Sequence, residues 1–108
     1  MNMSAQTLNK IFFALADENR RRILNLLSKK ELTFGELVQR FDITKQAISK
    51  HVMILEEAGF VRKKREGRIC RCKFNPKPLV KIEVAVQHYK KFWNLQLDQL
   101  ESFLDEMS

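Results

Sequence analysis

Glycine and proline are scarce, with 3 and 2 residues in 108. A turn-rich all-β protein and a disordered linker both need more of them, and neither fits. Cysteine is almost as rare, at two residues. Two thiols cannot build the disulfide framework of a small secreted domain, and they suit a reducing compartment. No apolar run approaches the roughly 20 residues of a membrane span. The opening MNMSAQTLNK lacks the basic-then-apolar order of a secretory signal. A cytoplasmic location without membrane association is the expectation. Catalytic equipment is missing too: there is no Gly-rich phosphate loop, HExxH or nucleophile elbow. The two histidines have no nucleophile in a catalytic context. Neither enzymatic activity nor a cofactor is expected.

What remains is a chain of one domain's length, 1–108, with 44% hydrophobic and 31% charged residues. So short a chain often completes its core in an oligomer. The net charge of +7 is unevenly spread. Residues 1–43 hold 7 basic and 5 acidic residues, 44–73 hold 9 and 3, and 74–108 hold 4 and 5. The segment RKKREGRICRCK (62–73) alone sets 7 basic residues against Glu66. A local cationic patch on a small domain points to a polyanion, most often nucleic acid.

The periodicity places that patch. Leu8, Ile11, Phe12 and Leu15 form the apolar stripe of a first helix. Asp17 is placed to cap a second helix, which turns Ile23, Leu24, Leu26 and Leu27 inward and ends near 28–30. Thr33 and Glu36 have capping-box spacing ahead of a stripe of Phe34, Leu37, Val38 and Phe41. After the break at 42–44, Thr44 caps a fourth helix whose core stripe is Ile48, Val52 and Leu55, with Gly59 at its left-handed stop. A strand-like run follows, with a turn at 65–68 for which Gly67 supplies positive φ. Cys70, Cys72 and Phe74 then alternate with Arg71 and Lys73, apolar in and basic out. After the break at 75–78, Leu79, Ile82, Val86, Tyr89, Trp93, Leu97, Leu100 and Leu104 form a seam stepped by threes and fours, as in a coiled coil.

Together these elements predict a mainly α, dimeric winged helix-turn-helix with about five helices and a two-stranded wing. The helix-turn-helix spans 33–58, the wing hairpin 60–75 and the dimerisation helix 79–107. The DNA-contacting set is Thr44, Lys45, Gln46, Ser49, Lys50 and His51 of the recognition helix, with Lys63, Lys64, Arg65 and Arg68 of the wing. The face carrying Gln46, Ser49, Lys50 and Met53 points outward. The dimer set is Leu8, Ile11 and Phe12 with the eight seam residues from Leu79 to Leu104; Ala85, Phe92, Leu95 and Phe103 form a second apolar group beside them.

Three segments resemble ArsR-type winged-helix regulators. ALADENRRRILNLL (14–27) is similar to their "ALADPTRRRIL" opening. ITKQAISKHVMILEEAGFV (43–61) is similar to their recognition helix, and GRICRCKFNP (67–76) to their wing return strand. The resemblance covers roughly 8–76 and implies a homodimeric repressor on an inverted-repeat operator of double-stranded DNA. It also marks departures. Glu18 replaces the usual Pro, and Thr33 and Gly35 occupy the positions of the Cys-x-Cys pair of metal-sensing members. The last helix has one histidine, His88. No metal site is therefore expected, and the inducer, whether a small molecule or a redox signal, is not specified.

Some readings stay open at this level. Cys70 and Cys72 fit two small core residues, or a redox pair whose pKa Arg71 and Lys73 lower. His51 fits a phosphate contact or a hydrogen-bonded structural histidine. The alternatives to a sequence-specific repressor are a nonspecific architectural DNA- or RNA-binding protein, a redox-responsive repressor, and a protein-interaction module built on the last helix.

Overall fold

The computed structural model describes residues 5–107. The chain divides into two compact units, Met1–Pro78 and Leu79–Ser108. In the first lie α1 (Ala5–Leu15), α2 (Glu18–Lys29), β1 (Leu32–Thr33), α3 (Phe34–Gln39), α4 (Lys45–Glu57), β2 (Val61–Glu66) and β3 (Ile69–Phe74). The helix α5 (Lys77–Met107) begins there and makes up the described part of the second.

The starts of α2, α3 and α4 each have a polar side chain for their orphan amides. The Asp17 carboxylate accepts from the Arg20 amide at 3.1 Å. At α3, the Glu36 amide donates to Thr33 Oγ1 and the Thr33 amide donates back to Glu36 Oε1, both at 3.1 Å, closing the capping box. The Thr33 bonds hold the exposed Glu36 carboxyl below its ordinary pKa. Thr44 Oγ1 accepts from the Ala47 amide at 3.1 Å. The end of α4 follows an equally local rule. Gly59, at φ +86°, donates to the Glu56 carbonyl, and the Phe60 amide donates to Leu55 O. That is the Schellman pattern. It turns the chain so that Phe60 and Val61 enter the core.

The core of the first unit is built from one face of each element: Ile11 and Ala14, Ile23, Leu24 and Leu27, Leu32, Leu37 and Phe41, Ile48, Val52 and Leu55, then Phe60, Val61 and Cys72. Leu26 is half-buried, a smaller role than its spacing suggested. In α1 the expected stripe is corrected. Ile11 is buried with Ala14, Leu8 and Leu15 are half-buried, and Phe12 is exposed. A helix of 11 residues laid against its neighbours by one narrow strip buries that strip alone. Ile11 therefore belongs to the protomer's own core and is not available to a dimer face.

The wing also differs from expectation. Its hairpin is present, pairing Val61 with Phe74 through Glu66 with Ile69. Arg65 and Glu66 belong to β2, and only Gly67 and Arg68 remain in the turn, with Gly67 at φ +62°. A third strand joins it: β1 pairs Leu32 with Cys72 and Thr33 with Arg71, giving the order β1-β3-β2. Two residues carry too little pattern to be read as a strand, and Thr33 already had a signal as a helix cap. The pairing covers the free edge of β3 where it leaves the core.

From Leu79 on, no described residue of α5 is buried. Ile82 and Ala85 are half-buried; the other seam residues, and Phe92, Leu95 and Phe103, are exposed, Trp93 at 60%.

Gly59 offers a direct check on the α4 stop. A Cβ there would meet Pro78 Cγ at 3.4 Å in a left-handed conformation. Gly59→Ala is expected to lower unfolding stability by about 1–2 kcal/mol, measured by urea denaturation. An unchanged midpoint would show that the stop does not need glycine.

Candidate nucleic-acid interface

Helices α3 and α4 are joined by a short link at residues 40–44 and make the helix-turn-helix. Because Ile48, Val52 and Leu55 are buried, the 100° advance per residue sends Gln46, Ser49, Lys50 and Met53 to the opposite side. All four are exposed. A row of amide, hydroxyl and ammonium groups on one open helix face can donate to and accept from base edges and phosphates. Thr44 lies at the start of this helix, its hydroxyl committed to capping.

The hairpin register divides the wing cations between two faces, since directly paired residues share a side. The inner face carries the pairs Val61–Phe74, Lys63–Cys72 and Arg65–Cys70; the outer face carries Arg62–Lys73 and Lys64–Arg71. Arg65 and Arg68 meet Lys45 in a cleft of about 710 Å³. Phe34, Val38 and Ile69 supply its apolar lining, and Cys70 also lies on its wall. Lys63 and Lys64 are not part of it. Lys63 Nζ lies 3.2 Å from Glu56 Oε1 on α4, and Lys64 Nζ lies 3.7 Å from Glu66 Oε1. Arg71 Nε reaches the other Glu66 oxygen at 3.4 Å. These pairs are solvent-exposed and individually weak. Glu66, the one acid of the basic segment, therefore answers the outer face, while Lys63 on the inner face is answered by Glu56 of α4.

His51 is not on the open face. Its ring is half-buried, with Nδ1 3.2 Å from Arg20 Nη1 and Nε2 3.9 Å from Asp17 Oδ2. Burial pushes the Asp17 carboxyl up. The Arg20 amide bond and the nearby His51 and Arg20 charges outweigh this and hold its pKa below the ordinary value. Arg20 escaped sequence reasoning. Within RRR at 20–22 it looks like one more solvated cation, yet it is the buried charged residue among those described, 7% exposed. Its i−3 relation to Ile23 was the signal available.

The cysteines separate as well. Both were expected to point inward, but Cys72 is fully buried and Cys70 only half-buried. Burial and the neighbouring Cys70 push the Cys72 thiol up to about 12. For Cys72 the expected lowering by Arg71 and Lys73 is not what the structure gives. Those side chains point outward, and the cation that opposes the rise is Lys63, on the paired position of β2.

A recognition helix with an open polar face, beside a basic β-hairpin, defines a winged helix-turn-helix DNA-binding transcriptional regulator. Residues 17–63 match the family described as bacterial regulatory protein, arsR family. The chain is 47% identical over 76 residues to the HTH-type transcriptional regulator YuzN of Bacillus subtilis, covering 64% of this chain and 83% of YuzN. It is 38% identical over 61 residues to the transcriptional repressor SdpR of the same organism, covering 56% of this chain and 68% of SdpR. The solved structure described as an ArsR-like transcriptional regulator from Rhodococcus sp. RHA1 superposes with a TM-score of 0.85 at 27% identity, covering 98% of this chain and all of that one. The chain belongs to the arsR family of bacterial regulatory proteins. No described helix is long and apolar enough to cross a membrane.

The thiols give a test of the site's geometry. With its thiol pushed up to about 12, Cys72 stays protonated at pH 8 and so lacks the reactive thiolate form. Iodoacetamide on the native protein should label Cys70 and spare Cys72 until the chain is unfolded, as read by peptide mapping. Equal labelling of both would place Cys72 outside the core.

Proposed function

We propose that this chain is a homodimeric transcriptional repressor that acts in the cytoplasm on an inverted-repeat operator. The observation that carries the reading is the convergence of Lys45, at the start of α4, with Arg65 and Arg68 of the wing, beside a helix whose polar face is open. Gln46 and Ser49 read base edges, Lys50 reads and anchors, and Thr44 and Lys45 lie against the backbone at the helix start. Arg65 and Arg68 take phosphates or the minor groove beside the reading helix, with Lys63 and Lys64 adding longer-range attraction. His51 acts from behind the reading face. Blocking a promoter by occupying it requires no further activity, and the similarity to SdpR, named a repressor, supports that sign of regulation.

The dimer joins α1 and α5 of two copies, through Leu8 and Phe12 with the seam from Leu79 to Leu104. A bare α5 exposes Tyr89, Phe92, Trp93, Leu97, Leu100, Phe103 and Leu104, which is more contiguous apolar surface than monomers usually keep in water. Two recognition helices held one duplex turn apart, about 34–36 Å, would read the two halves of a palindrome. The positions of the Cys-x-Cys pair hold Thr33 and Gly35, so the inducer is not a metal bound there. A redox role, if the protein has one, falls to Cys70 and not to the dithiol pair.

Two experiments test this reading. Gln46→Ala should cost about 1–3 kcal/mol at an operator selected from genomic fragments and far less on random DNA. Arg65→Ala with Arg68→Ala should weaken both DNAs and flatten the salt dependence by about 0.9 per lost phosphate contact. Equal losses for Gln46→Ala on both DNAs would remove α4 from base reading. Separately, Trp93→Asp should sediment as a monomer at micromolar concentration and lose operator binding. A wild-type monomer of 12.8 kDa that holds its operator tightly would overturn the dimer.

A further inference from the structure

The Arg20 guanidinium is buried where α1 ends. Its Nε donates to the Ala14 carbonyl and its Nη2 to the Phe13 carbonyl, both at 2.9 Å. These are carbonyls of the last turn of α1, the end of a helix that favours a cation. The Phe13 ring lies 4.9 Å from the guanidinium carbon. The remaining nitrogen, Nη1, faces His51 Nδ1 on α4 at 3.2 Å. A guanidinium has donors and no acceptor. His51 Nδ1 must therefore carry the lone pair, and its proton sits on Nε2, on the side of Asp17. The cation thus joins three helices in one network: the end of α1, the first turn of α2, and the middle of α4.

From this network we infer that His51 is a positioning residue for DNA recognition. It fixes the rotation and depth of α4 against α1, and so aims Gln46, Ser49 and Lys50. Ile48, Val52 and Leu55 hold α4 to the core but are apolar, and apolar contacts tolerate sliding and rotation. A charged hydrogen bond does not, because it weakens steeply as its angle closes. The Arg20–His51 bond is the directional contact at the border between the buried stripe and the reading face. In a dimer built through α1, the same bond relates the reading helix to the two-fold interface and thereby sets the spacing between half-sites. The inference rests on the DNA-reading role proposed above for α4.

The test compares His51→Asn, His51→Gln and His51→Ala in the full chain. Asn places an acceptor oxygen near the position of Nδ1. Gln places its polar atoms near Nε2 and cannot reach Arg20 without moving. Operator affinity should fall about tenfold or more in His51→Ala and His51→Gln, the cost of a hydrogen bond to a charged group. It should stay within about threefold of wild type in His51→Asn, since the acceptor is restored. Affinity for random DNA and the salt slope should remain unchanged in all three. If His51→Ala does not fold, as judged by circular dichroism, the Asn–Gln comparison decides alone. An Asn variant as weak as the Gln variant would overturn the inference. So would a loss on random DNA with a salt slope lower by about 0.9, which would make His51 a phosphate contact. Nitrogen-15 spectra of the imidazole at pH 7.5 supply a readout independent of DNA. The wild type should show a neutral ring protonated at Nε2, and Arg20→Met should change that signature. A ring protonated at Nδ1 would refute the bond itself. If wild-type protein shows no site preference while the Nε2–H signature is present, it is the DNA-reading role that fails, and the network stands as structure only.

Discussion

A buried guanidinium has to be given acceptors, and the arrangement of the first three long helices follows from how Arg20 obtains them. Leaving such a group unpaired in a core costs several kcal/mol. Among the described residues no carboxylate is paired with the Arg20 guanidinium; Asp17 takes the Arg20 backbone amide instead. The guanidinium uses two carbonyls of the last turn of α1, one of which also accepts from the Ala16 amide, an aromatic face, and an imidazole on α4. Two acceptors come from the last turn of α1 and one from α4, so the guanidinium carried by α2 is satisfied only when the three helices are together. The apolar contacts of Ile11, Ile23 and Ile48 favour association of the same helices, but the hydrogen bonds choose one geometry from the set that hydrophobic packing would permit.

The wing obeys a different constraint. A two-stranded ribbon carrying seven cations in twelve residues repels itself and has little apolar surface with which to fold. It is anchored at its base. Val61 and Cys72 are buried, β1 covers the β3 edge, and Asn75 ties the return strand to the end of α4 through bonds to Gly59 O and Phe60 O. Toward the tip, burial vanishes and the charges remain. Strand alternation then sorts them, so that Glu66 screens the outer face while Arg65 and Arg68 stay available beside α4. The burial gradient also gives the two cysteines different chemistry although they are only two residues apart. The thiol near the base is inert, and the thiol toward the tip lines an open cleft.

The long helix α5 presents the opposite problem, an apolar surface that its own unit leaves exposed among the described residues. Large side chains recur on two adjoining faces, around Tyr89, Trp93 and Leu97 and around Phe92 and Leu95. Such a helix gains little stability from propensity alone and depends on packing against a partner. The proposed second copy would answer this need and the need of a DNA reader for two aligned half-sites with one interface.

The sequence by itself determined the local structure. Asp17, Thr33, Glu36 and Thr44 marked the helix starts and Gly59 the stop of α4, because capping joins groups within a few residues of each other. Helical spacing identified Ile48, Val52 and Leu55 as core and left Gln46, Ser49 and Lys50 on the exposed face, because the period of a helix is fixed. The charge run located the wing. Tertiary structure decided whatever depended on residues far apart in the chain: the strand at Leu32 and Thr33, which exists because β3 has an edge to share; the burial of Arg20 among three arginines in a row; the withdrawal of His51 from the open face; and the separation of Cys70 from Cys72. Periodicity states which side of an element a residue occupies. It cannot state what stands opposite, and for a charged or titratable side chain the opposing group sets its chemistry.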